Sequence, residues 1–96
     1  MKTTIKNIKV ENMQSTNGND IANQFIIYTP EGVYFQSYST IIVFKEHSSH
    51  TIYLDSDKWD YSKTTGKYRN MFLRETKAET EKKIKSGQYI LTDLNK

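Results

Sequence analysis

The hydrophobic pattern of the chain changes its period after Asp55. Up to that residue, short apolar stretches are separated by turn-forming residues, which is typical of strands. Beyond it, Tyr61, Tyr68, Met71 and Phe72 recur at helical spacing. A run of strands followed by helices predicts an α+β fold.

The first half of the chain contains four to five predicted strands. They lie in residues 3–11, 21–29, 33–38, 41–44 and 51–55. Turn formers fill residues 14–20, and Pro30-Glu31-Gly32 supplies a tight turn, so residues 21–38 are expected to form a β-hairpin. Ile41–Phe44 is expected to be buried on both faces, and His47–His50 to form a turn. Because the connections are short, an antiparallel meander is expected.

Two helices are predicted for the second half. Asp60 or Ser62 can cap the first helix. Thr76-Lys77-Ala78-Glu79 has the spacing of a capping box and begins the second, which Ser86-Gly87 ends. Tyr89-Ile90-Leu91 then returns as a short strand.

These elements predict one domain over the 96 residues, since a chain of this length has room for one modest core. The expected architecture is α+β, with an antiparallel sheet of four to five strands and two C-terminal helices packed on one face. It is β-rich in residues 1–57 and helical in 60–86, and it closes with a short strand in 88–92.

The composition points to a cytoplasmic protein. The sequence has no cysteine, so it has neither disulfides nor a thiolate metal site. No apolar run follows the N-terminal lysines, which predicts no signal peptide. The longest apolar run, Ile41–Phe44, has strand length, and no membrane association is expected.

The positive charge is concentrated in the second half. The net charge is +3, but residues 58–85 contain nine Lys or Arg against four acids, a local +5. Such a surface suits an anionic partner, either nucleic acid or an acidic protein groove, although a solvated helical face gives the same pattern. Because DNA mimics are usually acidic, the pI of about 9.1 argues against mimicry.

The motifs of common enzymes are missing from the sequence. No serine lies in a Gly-x-Ser-x-Gly elbow, and Thr64-Thr65-Gly66-Lys67 lacks the upstream glycine of a phosphate-binding loop. His47 and His50 are interpreted as solvated turn residues. A non-enzymatic protein without a cofactor or metal is therefore predicted.

Three carboxylates, at Asp55, Asp57 and Asp60, leave a metal-assisted hydrolase as an alternative. Their spacing lacks the glycine and the terminal glutamate of a calcium loop. The competing interpretation is a strand-to-helix turn in which Asp57 or Asp60 caps the helix.

The candidate contact surface lies in residues 59–70, where aromatic, cationic and amide side chains alternate. Such side chains stack on bases, neutralise phosphates or anchor protein interfaces. The predicted contact residues there are Tyr61, Lys63, Lys67, Tyr68, Arg69 and Asn70. The competing structural role, fastening the helix to the sheet, fits Trp59 and Phe72 best.

The predicted hairpin adds two further contact residues, Tyr34 and Tyr38. Alternation puts both on one strand face together with Gln36. This face could bind a partner or be covered by the helices.

The runs 34–38, 54–55 and 59–70, with the closing residues 83–95, resemble a family of short uncharacterised proteins. These proteins occur in phages, prophages and plasmids of low-GC Gram-positive bacteria, and the similarity spans residues 21–95. The resemblance implies a mobile-element setting, in which small proteins often inhibit host defences. It carries no biochemistry that assigns a role to any residue.

The functional hypothesis is therefore a non-enzymatic interaction protein from a phage or mobile element. An anti-CRISPR inhibitor is its specific form, with a host CRISPR nuclease such as Cas9, or its guide complex, as the partner. The alternative is a small nucleic-acid-binding protein that uses residues 59–70. The sequence leaves the oligomeric state open.

Overall fold

The structure is a computed structural model that describes residues 7–96. It contains six strands and two helices. In chain order they are β1 (Lys9–Gln14), β2 (Asp20–Tyr28), β3 (Gly32–Ser37), β4 (Thr40–Glu46), β5 (Ile52–Asp55), α1 (Lys63–Leu73), α2 (Lys77–Lys85) and β6 (Tyr89–Thr92). The predicted α+β class is confirmed, and residues 3–6 of the predicted first strand lie outside the described part.

The six strands form one mixed sheet in the order β1-β2-β3-β4-β5-β6. Strands β1 to β5 pair antiparallel, as the short connections predict, but β6 pairs parallel with β5. The prediction of four to five purely antiparallel strands is therefore wrong. The reason is the position of the helices: α1 and α2 form the long crossover that a parallel pair requires.

Local signals in the sequence give the helix ends. Ser62 caps α1, since its side-chain Oγ accepts a hydrogen bond from the backbone N–H of Thr65 at 3.1 Å. The capping box predicted at Thr76 is present, with both reciprocal bonds to Glu79. Gly87 follows α2 with a left-handed φ of 83°, a conformation that glycine adopts without strain.

The core lies between the helices and one face of the sheet. Phe35, Val43 and Leu54 are paired across β3, β4 and β5 and are fully buried. The Phe72 ring of α1 stacks on Phe35, with centroids 5.6 Å apart. Tyr68, Leu73 and Ile84 also pack against this cluster, so both helices cover the same face.

The opposite face of the sheet carries a row of apolar side chains. The strand registers align Val10, Ile27, Tyr34, Phe44, Tyr53 and Ile90 across all six strands. Because side chains alternate along a strand, these six point away from the helices. We call them the open-face row. The row includes Phe44, which is only partly buried. Of the predicted buried run Ile41–Phe44, Ile42 and Val43 are fully buried, whereas Ile41 and Phe44 are partly exposed.

Among residues 7–96, no helix is long and apolar enough to cross a membrane.

Candidate functional site

The turn before α1 is fastened to the helix by Arg69. Its side chain is 1% exposed, and Nη1 donates to the backbone oxygen of Trp59 at 2.6 Å and to Oδ1 of Asp60 at 3.1 Å. Nη2 donates to the side-chain oxygen of Asn70 at 2.9 Å. The guanidinium also lies 5.0 Å from the Trp59 ring centroid, within range of a cation–π interaction.

This environment changes the interpretation of Arg69. The sequence predicts an arginine on the contact surface, but the guanidinium is enclosed by its own turn and helix. Arginine suits such a place because its planar fork satisfies several acceptors at once. Arg69 therefore organises the surface from below and does not present a charge to a partner.

Asp60 extends this connection to the second helix. Its Oδ2 lies 2.6 Å from the ammonium of Lys77, while Oδ1 receives Arg69. Burial by itself would raise the pKa of Asp60, but the hydrogen bonds from Lys77 and Arg69 outweigh burial and hold this pKa below its usual value. The carboxylate stays ionised at neutral pH and joins the α1 turn to the start of α2. Of the two predicted caps, the structure shows Ser62, and Asp60 instead binds Arg69 and Lys77.

The exposed cations lie above this buried connection. Lys63 and Lys67 project from α1 and are exposed. Tyr61 is 46% exposed, and the Lys58 ammonium lies 5.2 Å from its ring centroid. We call these four residues, together with Lys77, the α1 surface. Except for Lys58, they line an open cleft of about 510 Å³.

The α1 surface combines positive charge with an aromatic ring on rigid supports. The surface carries four ammonium groups, and within the described residues Lys77 is the one of the four that is paired with a carboxylate. Such a surface can hold phosphate or carboxylate groups, and Tyr61 can stack on a base or fill an apolar pocket. Lys58 and Lys77 are absent from the predicted contact residues, although the run of positive charge from residue 58 includes both.

Tyr68 and Asn70 are only partly available to a partner. Tyr68 packs against the core, with the Lys67 ammonium 5.3 Å from its ring centroid. Asn70 is partly buried and accepts from Arg69 through its side chain. Tyr68 therefore packs α1 against the core, and Asn70 helps to hold the Arg69 guanidinium in place.

Tyr34 and Tyr38 do not join the α1 surface. Tyr34 belongs to the open-face row, on the other side of the sheet, where its ring stacks on Phe44 at 4.4 Å. Tyr38 follows the end of β3 in a left-handed conformation, with φ of 57°, and is 53% exposed. Strand β3 ends at Ser37, so Tyr38 does not share a strand face with Tyr34 and Gln36 as predicted. The eight predicted contact residues therefore do not form one surface.

The three clustered carboxylates do not converge. Asp55 is 3% exposed, and both of its oxygens are occupied. Oδ2 accepts from the backbone N–H groups of Asp57 and Lys58, and Oδ1 from the N–H of Leu94 and the side chain of Asn95. Asp55 therefore joins the loop after β5 to the C-terminal tail.

Over residues 7–96, no three His, Cys, Asp or Glu side chains are grouped so that they could hold a metal ion. His47 and His50 lie exposed in the β4–β5 turn, as predicted. Asp55, Asp57 and Asp60 therefore do not form such a group in the described part of the chain.

A model of a family of unknown function (DUF8033) matches residues 8–88. The chain belongs to this family. The DUF8033 match spans β1 to α2 and includes the whole α1 surface. No curated protein and no solved structure matches the chain.

Proposed function

We propose that the protein is a non-enzymatic interaction protein whose α1 surface binds an anionic partner. The observation that supports this most strongly is the exposure of Lys63 and Lys67 on α1, beside Lys58 and Tyr61 on the preceding turn, which the buried Arg69 fastens to the helix. A fixed support lowers the entropic cost of ordering these side chains on binding.

In its specific form, the proposal is that the partner is a host protein. The first candidate is a CRISPR nuclease such as Cas9, or its guide complex. The protein would then act as a stoichiometric inhibitor encoded by a phage or other mobile element. This setting derives from the sequence resemblance described above. An acidic groove or a protein-bound guide RNA would match the charge of the α1 surface.

Direct nucleic-acid binding is the second candidate function. The alternation of lysines with an exposed tyrosine favours it, because lysines can neutralise phosphates while a tyrosine stacks on a base. Such binding must weaken steeply with salt, since each neutralised phosphate releases counterions.

Two double charge-reversal variants, one on the α1 surface and one as its control, test both candidate functions. Lys63→Glu/Lys67→Glu changes the α1 surface, and Lys82→Glu/Lys85→Glu is the matched control, because these two lysines are also exposed but lie on α2. Both double variants change the net charge by four units, so nonspecific attraction falls equally. Circular dichroism establishes that each variant is folded.

Binding is measured first by fluorescence anisotropy with labelled single- and double-stranded DNA and RNA, at about 50 mM and about 200 mM salt. It is then measured with purified Cas9, with and without guide RNA, together with DNA cleavage. Direct nucleic-acid binding predicts salt-sensitive affinity for the oligonucleotides alone. The inhibitor proposal predicts binding only when the nuclease is present. Equal binding by the α1 and α2 variants would refute the α1 surface as the contact site.

A further inference from the structure

We infer that the open-face row is the interface of a homodimer, in which two copies of this chain pack sheet against sheet. This inference does not depend on the proposed function, because the open-face row and the α1 surface lie on opposite sides of the molecule.

The row is continuous and apolar from one edge of the sheet to the other. Tyr34, Phe44 and Tyr53 form its centre, where neighbouring rings stack with centroid distances of 4.4 and 6.0 Å. Val10 and Ile90 form its ends and are 60% and 42% exposed. Within residues 7–96, the helices cover one face of the sheet, and the row on the other face has no second layer of the kind that apolar sheet faces generally pack against.

The charge distribution favours a second copy as the occupant. None of the six residues of the row is charged, and the nearest carboxylate along the same face of β4, Glu46, already accepts hydrogen bonds from Ser49 and Tyr53. Two copies can therefore meet through the uncharged side chains of the row, with Glu46 at its margin, where its carboxylate is held by Ser49 and Tyr53. The lysines of the two α1 surfaces then point outward, separated by both sheets and screened from one another at physiological salt.

The area of the face is at the lower limit of what a specific dimer interface needs. Six strands spaced about 4.8 Å apart extend over about 24 Å, and five paired residues of β2 and β3 extend over about 17 Å. Burying two such faces removes on the order of 1,000 Å² of surface from water, which is at the lower limit for a specific interface. An isologous contact needs only this one self-complementary patch. The aromatic centre also has the composition that interfaces favour.

The test is the molar mass of the full chain, measured by sedimentation and light scattering from about 1 µM to about 300 µM, the range of a modest affinity. The expected result is a concentration-dependent rise from 11.3 kDa towards about twice that value. Val10→Lys/Ile90→Lys places like charges in the interface and should weaken association at least about tenfold. Since both side chains are already exposed in the monomer, this variant should remain folded.

Met71→Lys is the matched control, because Met71 is 38% exposed on α1, on the other side of the sheet. It should leave association unchanged. A monomeric mass up to about 300 µM, or a dimer that Val10→Lys/Ile90→Lys does not weaken, would overturn the inference. If the protein is monomeric and the open-face row loses its solvent exposure only when Cas9 or an oligonucleotide is added, the row is the binding site of that partner and not a dimer interface.

Discussion

Replacing the buried Arg69 should destabilise the fold far more than replacing an exposed cation two residues away. Arg69→Met keeps an unbranched side chain of similar reach but removes the guanidinium. The backbone oxygen of Trp59 and the side chain of Asn70 then lose their donors. Hydrogen bonds to a charged group contribute roughly 1.5–3 kcal/mol each, and the contact with the Trp59 ring adds about 1 kcal/mol.

Two features make the net loss of stability smaller than the sum of these contributions. Asp60 is partly exposed and keeps Lys77 as a partner. The buried Nε of Arg69 has no acceptor within residues 7–96, so part of the guanidinium's desolvation is not compensated. The expected loss is therefore about 3 kcal/mol of the free energy of unfolding. For a chain of this size, it lowers the melting temperature by roughly 12–24 °C.

Thermal and urea unfolding followed by circular dichroism measure this loss. Lys67→Met is the control, because it removes the same charge from an exposed position of the same helix and should change stability by less than about 0.5 kcal/mol. Arg69→Lys should recover only part of the loss, since an ammonium cannot reach all three acceptors in a plane. Equal melting temperatures for Arg69→Met and Lys67→Met would refute the structural role of Arg69.

Three further perturbations test separate parts of the fold. In Gly32→Ala, the new Cβ would clash with the Lys45 backbone oxygen, so β3 and β4 must separate, and urea unfolding should show a loss of about 1–3 kcal/mol in the free energy of unfolding. Thr76→Ala removes the capping box of α2 and should lower the melting temperature by the equivalent of about 1 kcal/mol. For Glu75, burial by itself would raise the pKa, but hydrogen bonds from neighbouring side chains outweigh burial and lower this pKa below its ordinary value of 4.5. Its stabilisation is therefore complete above about pH 4.5 and is lost as the pH falls through the folded-state pKa. Unfolding midpoints between about pH 7 and about pH 3 should fall less steeply in Glu75→Gln than in the native sequence. Equal slopes would contradict the contribution of Glu75.

The stabilisation of Glu75 has a specific source. Its side chain is 5% exposed, and it accepts hydrogen bonds from Thr80 at 2.5 Å, Lys83 at 2.7 Å and Tyr89 at 2.9 Å. These donors belong to α2 and β6, so a single carboxylate after α1 holds the following helix and strand in place. Nothing in the local sequence around Glu75 indicates this, because Tyr89 is 14 residues away.

The sequence by itself determined the parts of this protein that depend on near neighbours. The change of period after Asp55 predicts strands followed by helices, and the turns at residues 14–20 and 30–32 predict where strands end. Ser62, Thr76 and Gly87 act on backbone groups within a few residues, so their roles can be predicted without a tertiary structure.

Only the tertiary structure decided which distant groups meet. Strand β6 has the same local pattern as an antiparallel strand, and only the path of the helices makes it parallel to β5. Arg69 has the sequence context of a surface cation, but the turn that carries Trp59 and Asp60 folds over it. Tyr34 lies apart from the α1 surface because the helices cover the face of β3 that carries Phe35. Burial and pairing are properties of the assembled layers, whereas periodicity and capping are properties of the local chain.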